Sequence, residues 1–213
     1  MTNLSTRLVV PKPAGWSRMN DVRYAAVAKA VLAIEGGHSN DRTDRGGETQ
    51  YGVSLRFLKA VGGIDADGDG VGDLDLNMDT VLDGRDIRLL TPELATDLFQ
   101  VHFYIGPGFW TLAPPYDAAM FDQAVNGGTT AAIKILQRAL NRRLTIKLRV
   151  DGQLGPKTTR AFWNVIGGHQ RAELLAAIRD EAARRYEAII TADPSQAKYR
   201  KGWLRRAQEL GRV

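Results

Sequence analysis

The chain has 213 residues, 44% of them hydrophobic, which suffices to bury a core as one domain or two small lobes and excludes a disordered tail. Cysteine is absent, so disulfides and thiol chemistry are excluded and stability rests on packing. The net charge of +5 is divided unevenly: residues 1–118 carry 11 basic and 16 acidic groups, residues 119–213 carry 18 and 8, so the C-terminal part attracts polyanions such as nucleic acid, anionic lipid or bacterial wall polymer.

At the N-terminus the apolar run is three residues, Leu8 to Val10, too short for a signal-peptide core or a membrane span. Synthesis in the cytoplasm is expected, without stable membrane insertion. A substrate beyond the membrane then requires release through a permeabilised membrane.

Residues 22–35 read as a helix, capped at Asn20 or Asp21 and stopped at Gly36. Its apolar stripe is Tyr24, Val27, Ala28, Val31 and Leu32, and Glu35 continues it at the same four-and-three spacing. Burial and the negative end of the helix dipole both disfavour the charged carboxylate, so a raised pKa is expected, as a general acid requires. A glycine-rich polar stretch follows, with Gly36-Gly37 and Gly46-Gly47 permitting close approach to a ligand. Asp41 and Asp44 lie in it. Asp44 is the candidate second carboxylate, polarising a water or stabilising positive charge on a sugar ring. Thr49, in a stretch 49–53 that alternates like a short strand, is placed to hold that water. His38 and Tyr51 are candidate substrate contacts at the rim, and no second histidine lies near His38 to complete a metal site.

Glu35-Gly36-Gly37, Asn40-Asp41, Asp44-Arg45-Gly46-Gly47, Thr49 and Gly52 resemble the N-terminal signature of glycoside hydrolase family 108, muramidases common among phage endolysins. The resemblance implies a lysozyme-like fold, mainly α with a small strand and loop region around the cleft. It also implies cleavage of the N-acetylmuramic acid to N-acetylglucosamine bond, with Glu35 as catalytic acid and no cofactor needed for the chemistry. The order Glu, Asp, Thr is similar to the triad of tailed-phage lysozymes, with an Asp-to-Thr gap one residue shorter here.

Further along, Ser54 reads as the cap of a helix over 55–61, closed by Gly62-Gly63. Between Asp65 and Asp86 stand eight Asp and one Arg. Asp65, Asp67, Asp69 and Gly70 match the first positions of a calcium loop, although Leu76 stands where a bidentate Glu belongs. Asp73, Asp75 and Asp79 are further candidates. Structural calcium and a peripheral acidic insertion are the two readings of this segment. Thr91-Pro92 starts a helix running to about Phe103. Tyr104, Phe109 and Trp110 suit either a sugar-stacking wall or the core.

Phe121 to Gly128 closes another helix, in which Gln123 and Asn126 are candidate sugar contacts. Ala132, Ile133, Leu136 and Leu140 stripe the next, and a long amphipathic helix covers about 169–192. Leu136-Gln137-Arg138-Ala139-Leu140, Val150 to Thr158 and Lys201 to Arg206 resemble the peptidoglycan-binding domain often fused to this family. The expected organisation is a lysozyme-like muramidase region over 1–118, including the acidic segment 65–86, and a helical peptidoglycan-binding-like region over 119–213. Bacterial peptidoglycan is the expected partner and a monomer the expected state. Nucleic acid is not expected, because the basic residues are spread along helices without a recognised binding module. A lytic transglycosylase, or a non-catalytic wall-binding or secretion-associated protein of the same fold, fits the same residues.

Overall fold

The computed structural model describes residues 8, 10–35, 47–62, 72–145, 147–168 and 170–212, residues 32–35 by their backbone alone. Among these the chain is mainly α, as expected: nine α-helices, one two-stranded hairpin, and short π and 3-10 segments. It divides into two units, Met1–Val101 and His102–Val213. The first holds 11 basic and 15 acidic residues, the second 18 and 9.

In the first unit, α1 spans Arg18–Glu35 and starts one turn before the pattern suggested. The cause is Asn20, whose side chain turns back to accept from the Ser17 backbone N–H and hydroxyl, so it closes the first turn from inside. Tyr24, Val27, Ala28 and Val31 are buried, as their spacing requires. The Tyr24 hydroxyl donates to the Thr96 carbonyl at 2.6 Å and so ties α1 to α4, Pro92–Phe99. Thr91 caps α4 by accepting from the Leu94 N–H. The helix expected to reach Phe103 leaves α geometry at Phe99 and continues as a π turn over Gln100–Ile105.

Residues 49–53 are not one strand. Thr49–Gln50 (β1) and Val53–Ser54 (β2) pair antiparallel, with Gln50 opposite Val53. Between them Tyr51 and Gly52 take φ of 50° and 78°, the left-handed pair that reverses two strands in a two-residue turn. Glycine adopts this readily, whereas Tyr51 does so at a cost of order 1 kcal/mol. Ser54 then caps α2, Leu55–Val61, accepting from the Phe57 N–H, and α2 buries Leu58.

The downstream part of the acidic segment is not simply solvated charge. It contains α3, Gly84–Leu89, which the sequence reading did not separate from the acidic run. Asp83 and Asp86 form its reciprocal capping box. Asp86 is fully buried, and its carboxylate accepts from the backbone N–H groups of Leu76, Asn77 and Asp83 at 2.8–3.3 Å. Arg85 pairs with both Asp79 and Asp83.

The second unit contains α5 (Tyr116–Gly127), α6 (Thr129–Asn141), α7 (Pro156–Gly167), α8 (Arg171–Ala192) and α9 (Arg200–Glu209). The expected stripe of α6 is buried against α5 and α8, and α8 in turn packs on α9. Tyr104 and Phe109 are core residues, which removes them from any sugar-stacking wall. Tyr104 stands edge-on to Phe121 at 5.7 Å, and its hydroxyl donates to Asp117 Oδ2.

The segment 150–155 has no regular structure, so its inward backbone groups need partners from elsewhere. One side chain supplies two of them. Gln137 on α6 is 1% exposed; its Nε2 faces Asp151 Oδ1 at 2.7 Å, the Gln153 carbonyl at 3.1 Å and Thr158 Oγ1 at 3.2 Å, while its Oε1 accepts from the Gly152 N–H at 2.9 Å. Gly152 has φ of 81°, and a Cβ there would stand 2.6 Å from Thr130 Cγ2. Replacing Gln137 with Leu keeps the volume and strands these groups. A loss of about 2–3 kcal/mol in denaturant unfolding is expected, and a variant as stable as the parent would show that the turn does not depend on this carboxamide.

Candidate active site

Glu35 is the last residue of α1, and no basic residue stands in that final turn to neutralise a charge there. The helix presenting it is anchored by the buried Tyr24 to Val31 stripe and the Tyr24–Thr96 hydrogen bond. Glu35 thus closes a helix whose preceding turns are anchored in the core. His38, Asp41 and Asp44 lie outside the described residues.

Thr49 sits on β1, half-buried, with its hydroxyl donating to the Gly47 carbonyl at 3.3 Å. Tyr51 forms the hairpin tip and is also half-buried. The hairpin is held by residues the sequence reading did not single out. Gln50 Nε2 donates to the Leu90 carbonyl at 3.0 Å and to the Arg88 carbonyl at 3.3 Å, fastening β1 to the end of α3. Beside it, Arg88 Nη1 donates to both carboxylate oxygens of Glu48 at 2.7 and 2.8 Å. Glu48 is 10% exposed in its side chain and Arg88 52%. Gly84 lies under this pair, and a Cβ there would displace the end of the Glu48 side chain. No sequence signal marks it, since Glu48 and Arg88 are forty positions apart.

Of the candidate cation ligands, Asp65, Asp67 and Asp69 lie outside the described residues, and Asp73 falls in a turn just after them. Among the described residues no group of three or more His, Asp or Glu is placed to hold a metal. Asp75 is 6% exposed; its Oδ1 accepts from the Asp79 N–H, and its Oδ2 is buried without a hydrogen-bond partner.

Gln123 and Asn126 both stand on α5 in the second unit. Gln123 is 1% exposed, and its Nε2 donates to the Tyr186 hydroxyl at 3.0 Å, which itself donates to Asn126 Oδ1 at 2.9 Å. Next to them Arg206 Nε donates to Asp122 Oδ1 at 2.9 Å in a pair about nine-tenths buried. Together these bonds fasten α5 to α8 and α9. Burial pushes the Tyr186 phenol above its ordinary value, so its proton is retained and the relay from Gln123 to Asn126 is fixed. Asn126 keeps partial exposure, and the chain after it turns at Gly127, whose Cα lies against the Arg185 guanidinium, and at Gly128, with φ of 87°.

Residues 28–128 match the family described as Glycosyl hydrolase 108, and residues 131–208 match the Predicted Peptidoglycan domain. No curated protein matches the chain. Among solved structures, the structure of Brucella abortus SagA resembles it with a TM-score of 0.65 and 22% identity, over 89% of this chain and 92% of that one. At that identity the likeness shows a shared fold. The family matches cover both the helix ending at Glu35 with its hairpin and the Gln137-centred helices that follow: the first segment is similar to the glycosyl hydrolase 108 family, and a peptidoglycan-domain match lies C-terminal to it.

Proposed function

We propose that the chain is an N-acetylmuramidase of endolysin type, hydrolysing the bond between N-acetylmuramic acid and N-acetylglucosamine in bacterial peptidoglycan. The observation carrying this reading is the position of Glu35, ending an anchored helix inside the segment that matches the glycosyl hydrolase family. Glu35 gives its proton to the leaving glycosidic oxygen as the bond from the anomeric carbon breaks. Asp44 either takes a proton from the incoming water or stabilises the positive ring, and Thr49 positions that water. The water's hydroxyl ends on the anomeric carbon. His38 and Tyr51 contact sugar at the rim. The route of action is host lysis, with the wall reached from the cytoplasm through a permeabilised membrane.

Glu35→Gln keeps the shape of the side chain and removes the acid. A loss of about 10²-fold or more in the clearing of outer-membrane-permeabilised cells is expected; clearing at the parental rate by the folded variant would refute the assignment. Mass spectrometry of digested wall separates the hydrolase from its nearest rival. Reducing N-acetylmuramic acid ends are expected, whereas anhydro ends would identify a lytic transglycosylase, and binding without new ends a wall-binding protein.

Structural calcium held by Asp65, Asp67, Asp69 and Asp73 is part of the same proposal, supported by the partnerless buried oxygen of Asp75 just beyond them. Saturating calcium added to chelator-treated protein is expected to raise the thermal midpoint by roughly 5–10 °C. A midpoint indifferent to calcium and chelator would leave the segment as an acidic insertion.

A further inference from the structure

Helix α7 has two faces. Thr158, Ala161, Phe162, Val165 and Ile166 are buried on one. Pro156, Arg160 and Trp163, four and then three positions apart, share the other and are exposed. A single exposed aromatic is ordinary on a protein surface, but Trp163 does not stand alone. Its ring, 47% exposed, is braced edge-on by Phe162 at 5.4 Å and forms a wall of a groove of about 520 Å³, lined also by Arg160, Thr159, Leu154, Thr111 and Gly108.

Leu154 also lines a second groove of about 430 Å³, whose other residues include His102, Gln153 and Thr129. The two grooves therefore meet at Leu154, within the second unit. The first is largely apolar with an aromatic wall. The second adds a carboxamide, a hydroxyl and an imidazole, and burial holds that imidazole below its ordinary value, so the ring carries no charge at pH 7. An apolar wall joined to closely set neutral polar groups matches a pyranose, which has a C–H face and a hydroxylated edge. Arg160 has no ion-pair partner among the described residues, and the unit carries 18 basic against 9 acidic residues. The complementary ligand is thus a sugar polymer bearing carboxylates.

We infer that this double groove is a glycan-binding site of the second unit, in which one pyranose ring of the anionic amino-sugar backbone of the wall stacks on Trp163 while Arg160 faces a carboxylate. The choice of wall glycan as ligand rests on the proposed function. The stacking itself rests on the groove.

The test uses the full chain carrying Glu35→Gln, so that substrate is not turned over. The probes are a peptide-free tetrasaccharide of alternating N-acetylglucosamine and N-acetylmuramic acid, the free stem peptide, and purified sacculi. The indole N–H resonance of Trp163, assigned by its loss in Trp163→Phe, is expected to shift on titration with the tetrasaccharide. Co-sedimentation with sacculi is expected to weaken about tenfold in Trp163→Ala, to be largely kept in Trp163→Phe, and to lose part of its salt dependence in Arg160→Gln. An indole resonance unmoved at saturating tetrasaccharide, or moved by the stem peptide alone, overturns the inference. So does parental co-sedimentation by Trp163→Ala. Sugar release by the native chain is read separately: cleavage with an inert Trp163 keeps the muramidase and removes this site, and an absent cleavage activity with a responsive Trp163 does the reverse.

Discussion

The second unit depends on a carboxamide buried where an apolar residue would ordinarily stand. Gln137 occupies a core position of α6, yet its polar end meets the backbone and side chains of the turn that leads into α7. An aliphatic side chain would fill the same space and leave buried donors and acceptors without partners, an unequal exchange in a low-dielectric interior. With the turn held, Gly155 and Pro156 start α7 in a fixed direction, and the residues four and seven positions along that helix emerge beside Leu154. The surface that offers Trp163 is thus set by a contact on the far side of the turn.

The first unit solves a related problem with charge. Its hairpin has two residues in each strand, too few to be stable on their own ladder hydrogen bonds. Gln50 and the Glu48–Arg88 pair fasten it to α3, and α3 is itself held by the buried carboxylate of Asp86, which collects three backbone N–H groups. An ion pair as exposed as Arg88 adds little stability. Its contribution is directional, since it orients the backbone from which Thr49 projects.

Periodic features were legible in the sequence and non-periodic ones were not. The stripes of α1 and α6 read directly because burial repeats with the helix. The hairpin did not, because an alternating pattern over five residues fits one strand as well as two, and Tyr51 is an unusual occupant of a left-handed turn position. α3 was concealed for a different reason: a six-residue helix has almost no period, and its capping carboxylates sit within a run whose spacing also suits a cation loop. At the site, Glu35 could be singled out from its spacing on the helix, while Glu48, Gln137 and Trp163 acquire their roles only from partners brought together by folding. Gln123 shows the converse, since its type and place suggested sugar contact and the structure engages it with Tyr186.

The family matches meet between residues 128 and 131, immediately after α5, whereas the two units divide between Val101 and His102. Helix α5 therefore falls in the segment matched to the hydrolase family and, by folding, in the second unit, joined there through Asp122 to Arg206 and through Asn126 to Tyr186. A cut at the family boundary would part the nearly buried Asp122 carboxylate from the Arg206 guanidinium. A foreign C-terminal segment joined at that boundary would therefore have to bring its own guanidinium to Asp122.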